Sequence, residues 1–303
     1  MDHGPHKSVL LHELIEGLSI APEDAVLDAT LGGGGHAAAA SALLREGGIL
    51  VGIDLDARAL ARAKERLAGG RCRVCLRQEN FRNLDKVLAT CGLSSIDAAY
   101  FDLGVRSEQI EHSGRGMSFE RDEPLLMTFS DRPAEGDLTA SEIVNEWQQE
   151  SIADVLYGFG GERYSRRIAR ALVEHRPIKT TRELVSVIEN AVPGRYRTAR
   201  IHCATRTFQA LRIAVNDELG ALSEGLSKAY AHLEASGRIG VITFHSGEDR
   251  IVKRFFRERA ELGGGTIVTK KPIVPSKEET AANPRARSAK LRIFQKNHGE
   301  PDQ

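Results

Sequence analysis

The stretch with the most chemical potential is Asp28-Ala29-Thr30-Leu31-Gly32-Gly33-Gly34-Gly35-His36, an acid followed by a glycine run. Glycines allow positive φ and close backbone approach, which a cofactor tucked beneath such a turn requires. Asp54 follows roughly 20 residues on, where an acid closing the next strand can accept hydrogen bonds from ribose hydroxyls. Gly32, Gly34 and Ala37 also satisfy the G-x-G-x-x-A spacing of nicotinamide enzymes, so the glycines alone leave the cofactor open. Two acids shift the balance. Asp28, just before the loop, suits a sulfonium and an amino group better than a pyrophosphate. Asp102, closing a later strand, stands where a transferable methyl group would lie.

Other reactive side chains are less telling. Cys72, Cys75, Cys91 and Cys203 make no disulfide framework. Cys72 and Cys75 have C-x-x-C spacing without a second pair, and positions i and i+3 of a strand face opposite ways, so buried thiols are expected and no metal site. His245-Ser246 ends a strand at the sheet edge expected to hold the cofactor, either as a target-pocket pair or as a structural turn. No cysteine stands in the segment around Asp102.

These residues need a scaffold, and the first third of the chain supplies one. AVLDAT, GILVGIDLD, CRVCLRQEN and IDAAYFDLG read as four buried strands separated by helical segments, the pattern of a parallel sheet covered on both faces. From about residue 106 to residue 200 strand signals stop, and amphipathic stretches such as RYSRRIARALVEH take over. The core then resumes with one long helix (ATRTFQALRIAVNDELGALSEGLSKAYAHL), a strand (GRIGVITFHS) and a further helix. Two last β-like runs, GTIVTKKPIVP and SAKLRIFQKN, are close enough to pair antiparallel at the sheet edge. Such a terminal hairpin suits the methyltransferase version of the fold. The expected architecture is therefore α/β: a Rossmann-like S-adenosylmethionine-dependent sheet (residues 1–105 and 201–303) with an inserted helical domain (106–200).

Composition sets the class of partner. Hydrophobic content of 41% and charged content of 28% are ordinary for a globular protein, and no apolar run nears the roughly 20 residues that span a bilayer. The N-terminus lacks the basic end and apolar stretch of a signal peptide, so a cytoplasmic protein with no membrane partner is expected. Net charge is zero, yet residues 1–150 carry 15 Lys+Arg against 25 Asp+Glu, while residues 151–303 carry 27 against 17. That asymmetry points one face toward a polyanion.

Taken together, these segments resemble the bacterial RsmH (MraW) family, which methylates N4 of a cytidine in small-subunit ribosomal RNA. The resemblance runs over nearly the whole chain: His6-Lys7-Ser8-Val9-Leu10-Leu11, DATLGGGGHA, FDLGVRSEQI, GERYSRRIARAL, ATRTFQALRIAVNDEL, FHSGEDRIVKRFF and NPRARSAKLR. It implies a methyltransferase domain with an inserted helical domain. It also implies that Gly34, Gly35 and His36 contact S-adenosylmethionine, that Asp54 holds its ribose and Phe81 its adenine, and that Asp102 and Gln109 lie near its methionine end. Asp54 and Asp102 emerge from the residues as well; Phe81 and Gln109 come from the resemblance alone.

The chain departs from the family pattern in places. Arg106 and Glu108 stand for the usual Ser and Pro, Leu126, Thr128 and Ser130 interrupt a run normally richer in charge, and Gly247 replaces a leucine after FHS. The expected partners are 16S ribosomal RNA and the small subunit, reached through inserted-domain arginines including Arg197 and Arg206, through His245 and Ser246, and through Arg285 and Arg287. A homodimer is compatible with all of this. Asp102, or a carbonyl in Leu103-Gly104-Val105, is the expected acceptor for the target amine, and the sulfonium leaving group makes a catalytic metal unnecessary.

Overall fold

In the computed structural model, which describes residues 8–104, 114–131, 133 and 136–298, the expected apolar runs become strands. They are β1 (Ala25–Asp28), β2 (Ile49–Asp54), β3 (Arg73–Gln78), β4 (Ile96–Asp102), β5 (Leu233–Thr243), β6 (Gly265–Ile267) and β7 (Lys290–Lys296). They form one sheet in the order β3-β2-β1-β4-β5-β7-β6. The first five run parallel, and β7 lies antiparallel between β5 and β6, giving the terminal hairpin. This is a Rossmann-like α/β sheet. From β1 the chain builds outward through β2 and β3, then returns to lay β4 on the other flank. The gap between β1 and β4 is thus the switch point where such sheets bind ligands beyond the carboxyl ends of their strands. Asp28, Asp54 and Asp102 are each the last residue of their strand.

Helices α1 (Leu11–Leu18), α2 (Gly35–Leu43), α3 (Ala57–Arg66) and α4 (Leu84–Thr90) alternate with these strands. After β4 comes a run of helices: α5 (Ala140–Glu146), α6 (Gln149–Gly158), α7 (Ser165–Glu174), α8 (Thr181–Ala191), the single turn α9 (Gly194–Arg197) and α10 (Thr205–Asn216). Thr139 with Glu142, and Thr180 with Glu183, form capping boxes that start α5 and α8. The chain then returns to the sheet with α11 (Glu218–His232), α12 (Ser246–Glu261) and the short α13 (Lys277–Ala282).

The chain divides into two compact units, Met1–Gly104 with Leu219–Gln303, and Val105–Glu218. In the sheet unit both faces are covered, so neighbouring residues of one strand enter different cores. Leu27, Val51, Phe101 and Val241 pack in one with Leu88, Leu226 and Phe256. Val26, Leu50, Tyr100 and Ile242 pack in the other with Leu14, Ala37 and Ala63. Burial on both sides is why these strands read as unbroken apolar runs. The helical unit has its own core, from Ile143, Ile152 and Leu156 through Ile168, Leu172, Leu184 and Ile188 to Phe208 and Leu211.

Two expectations change. The long helix expected after residue 204 is broken at Asp217, whose φ of 44° is left-handed. Its first part, α10, buries Phe208, Ala210 and Leu211 in the helical unit, so that unit runs to Glu218 and not to residue 200. One amphipathic sequence serves two cores, and Asp tolerates the left-handed turn that re-aims it. Secondly, Cys75 on β3 is disulfide-bonded to Cys91, which caps α4, although no disulfide was expected. Both cysteines belong to one core, a proximity that chain spacing cannot reveal. Cys72 does lie on the opposite face from Cys75, against Ser41 at 3.3 Å.

Candidate active site

The glycine loop begins at the end of β1 and is held from three sides. Thr30 N–H donates to Asp28 Oδ1 (3.0 Å), Leu31 N–H to the Ile53 carbonyl (2.9 Å), and Gly32 N–H to Asp54 Oδ2 (2.8 Å). Gly34 caps α2 with φ of 74°, and a Cβ there would stand 3.1 Å from the Ala63 backbone, so only glycine fits without strain. A Cβ on Gly35 would run into the Ser8 hydroxyl. The loop therefore turns tightly and keeps bare backbone at the start of a helix, a shape suited to a closely held cofactor.

Asp54 ties its second oxygen, Oδ1, to Asp56 N–H at 2.9 Å. These two backbone bonds orient the carboxylate at the tip of β2. Asp54 thus braces the glycine loop. Phe81 opens a 3-10 turn whose Asn80 caps it through Arg82 N–H at 3.0 Å. Its ring meets Phe101 edge-on, with centroids 5.5 Å apart. A Cβ on Gly225 would come within 2.7 Å of that ring, so the glycine in α11 makes room for it.

Asp28 is corrected by the structure. Read from the sequence as a carboxylate facing a cofactor, it is only 1% exposed, and Tyr100 donates its hydroxyl to Oδ2 at 2.8 Å. Burial pushes its pKa up to about 7, against the lowering effect of Tyr100, the Thr30 amide and His36. It is an internal tie between β1 and β4. Asp102 is the more open acid. Its backbone N–H donates to Thr30 Oγ1 (2.6 Å), and its Oδ2 lies 3.4 Å from His36 Nδ1. His36 is buried, which depresses its pKa, and its Nε2 is 3.0 Å from the Val9 carbonyl. A neutral ring donates there through Nε2–H, bracing the N-terminal segment against the strand tips.

The remaining candidates separate clearly. His245 follows β5, beside β4, because Ile242 is in register with Asp102. Its side chain caps α12 by accepting from Glu248 N–H at 3.4 Å, while Glu248 accepts from the Phe244 and His245 amides at 2.7 and 3.2 Å. Ser246 is the first residue of that helix. A Cβ at Gly247 would sit 3.1 Å from the His245 ring, a tight contact that the glycine avoids. Arg285 and Arg287 flank buried Ala286 in a 3-10 turn before β7, both exposed. In the helical unit Arg163, Arg166, Arg167 and Arg170 are exposed on and beside α7, Arg195 and Arg197 lie on α9, Arg200 is exposed and Arg206 is partly buried in α10. Gln109, Arg106, Glu108, His6 and Lys7 lie outside the described residues. The segment carrying Leu126, Thr128 and Ser130 is anchored to α10, where Asn216 Oδ1 accepts from Phe129 N–H at 2.7 Å.

Sequence reasoning missed Tyr100, Thr30 and Ser8. Tyr100 carried a signal: a single hydroxyl inside the otherwise apolar run of β4 must find a partner once buried.

Comparison with known proteins adds to this geometry. The profile of the MraW methylase family matches residues 3–297. The "Ribosomal RNA small subunit methyltransferase H" of Brevibacillus brevis is 44% identical over 309 residues, covering 96% of this chain and 98% of its own length. The protein of that name from Heliobacterium modesticaldum is 46% identical over 310 residues, with 96% and 98% covered.

Proposed function

This chain belongs to the MraW methylase family, and from that membership we propose that it methylates N4 of one cytidine in the decoding region of 16S ribosomal RNA. It is an S-adenosylmethionine-dependent methyltransferase of small-subunit ribosomal RNA; the base, the atom and the region are the finer part of the proposal. The observation that carries it is the convergence of a glycine turn, the Asp54 carboxylate and the Asp102 carboxylate on the carboxyl ends of β1, β2 and β4. When bound, S-adenosylmethionine supplies a methyl group on a sulfonium, so the leaving group is a neutral thioether.

The residues present fit that group. Gly34 and Gly35 offer side-chain-free backbone, Asp54 offers acceptors for the ribose, and the Phe81 ring offers an apolar surface for the adenine. His36 holds the loop in place from within. Gln109 joins the set near the methionine end by family resemblance.

The exocyclic amine of cytosine is a poor nucleophile because its lone pair is delocalised into the ring. Asp102 accepts one N–H of that amine, which draws density back onto nitrogen and aims its lone pair along the line of attack. A backbone carbonyl in Leu103-Gly104-Val105 is the alternative acceptor. A base within folded RNA must swing out to reach such a pocket. The arginines of the helical unit, exposed Arg197 and partly buried Arg206 among them, hold the surrounding phosphates. His245, Ser246, Arg285 and Arg287 extend the target contacts on the sheet unit. Among the described residues no helix is long and apolar enough to cross a membrane. Because its substrate is ribosomal RNA, we place the reaction in the cytoplasm.

The test is transfer of a labelled methyl group to unmodified small subunits and to free ribosomal RNA, followed by nucleoside analysis. N4-methylcytidine at a single position supports the proposal. Label on another base, or on C5, overturns it.

A further inference from the structure

The helical unit carries a cluster of ligand-bearing side chains that methyl transfer does not use. Glu189 lies near the end of α8, and His202 and Cys203 stand in the turn that leads into α10. One donor atom from each lies within 4.8 Å of the other two. His202 Nε2 is 3.5 Å from Glu189 Oε1. The imidazole is already oriented, because it stacks on Phe119 with centroids 4.6 Å apart and planes 23° from parallel.

The three side chains differ in a useful way. Cys203 is 2% exposed, whereas the His202 and Glu189 side chains keep 38% and 42% of their surface. A sulfur thus forms the floor, and a nitrogen and an oxygen form the rim. Burial and the adjacent Glu189 carboxylate push the Cys203 thiol up, so on its own it holds its proton. A cation set between carboxylate and sulfur reverses the second of these effects and binds the thiolate directly.

We propose that Glu189, His202 and Cys203 form a zinc site, with a carboxylate oxygen, an imidazole nitrogen and a thiolate sulfur as ligands and water in the fourth position. The donor set selects the ion. Magnesium and calcium take oxygen ligands, whereas zinc accepts sulfur, nitrogen and oxygen together in a tetrahedron. Binding releases the thiol proton to solvent. It also moves the imidazole proton from Nε2 to Nδ1, so the 3.2 Å hydrogen bond that Nδ1 accepts from Ala204 N–H is lost, a cost that the new metal bonds must exceed. The ion would join the end of α8 to the start of α10 and so fix the intervening turn, which carries Arg195, Arg197 and Arg200. None of this depends on which RNA base is methylated.

The experiment uses the untagged full chain, stripped with chelator, loaded with zinc or with cobalt as its spectroscopic stand-in, and desalted. We expect about one zinc per chain by elemental analysis, and a near-ultraviolet thiolate-to-cobalt charge-transfer band with tetrahedral visible bands. Cys203→Ser should abolish the charge-transfer band, His202→Gln and Glu189→Gln should weaken zinc roughly tenfold or more, and Cys72→Ser should retain both metal and spectrum. His202→Gln alters a partly exposed side chain, so it serves if Cys203→Ser fails to fold. Zinc lost on desalting, zinc held equally by all variants, or a cobalt spectrum indifferent to Cys203 would each overturn the proposal.

Discussion

The sheet unit and the helical unit treat their polar side chains in opposite ways. At the strand tips of the sheet unit, polar groups are drawn inward and tied. Asp28 is held by Tyr100 and Thr30, Asp54 by Gly32 and Asp56, and Thr30 in turn by the Asp102 amide. On α7 of the helical unit, Ile168, Ala169 and Leu172 are buried while Arg166, Arg167 and Arg170 stay in water. The difference fits the tasks proposed for the two units. Moving a single carbon between two atoms requires groups fixed to a fraction of an ångström. Holding phosphates requires only enough positive charge along a surface, which long solvated side chains supply.

Asp102→Ala is the sharpest way to break this contrast. Methyl transfer to the small subunit should fall by about 10²–10⁴-fold, while affinity for S-adenosylhomocysteine, measured by calorimetry, changes far less. Near-normal turnover would remove Asp102 from the chemistry. Next in size is the pair Cys75→Ser with Cys91→Ser. Opening a loop of this length should lower stability by about 3 kcal/mol in denaturant titrations under oxidising conditions, and reductant should bring the parent protein down to the variant.

The buried tie at Asp28 makes a pH prediction. An unfolded chain gives up this proton near the ordinary value of 3.8, the folded one near 7, so stability is lost as pH rises between them. Asp28→Asn can keep both bonds, with the amide oxygen accepting from Thr30 and the amide nitrogen donating to Tyr100. It should remove about 2.5 kcal/mol of the decline between pH 5 and 8, read as a flatter dependence of Tm on pH. An unchanged slope would mean that Asp28 stays ionised inside the fold. The smallest effect belongs to the helical unit. Arg166→Ala, Arg167→Ala and Arg170→Ala together should weaken RNA binding about tenfold and lower its log–log salt slope by about 2 to 3. Cofactor affinity should not move; if it does, the division of labour between the units fails.

Much of this was legible in advance, and for identifiable reasons. The acid–glycine turn, Asp54 and Asp102 are local signals, because a strand ending in an acid before a glycine run has few other uses. The strands themselves were visible because burial on both faces leaves apolar runs with little interruption. Boundaries fared worse where one continuous pattern served two partners. The periodicity from residue 205 to 232 is helical throughout, and nothing in it marks Asp217 as the point where the buried face changes cores. His245 shows the same limit: its type and its place at a strand end do not announce that it caps α12 together with Glu248.

What the sequence determined by itself was the set of elements and the chemistry at their ends, since helix and strand periodicity and glycine's freedom at positive φ are properties of short segments. Only the tertiary structure decided which distant residues would meet: Asp28 with Tyr100, Cys75 with Cys91, and Glu189 with His202 and Cys203. Those meetings depend on strand order and helix packing, which bring together side chains that share no local signal, and burial then sets the protonation that each of them keeps.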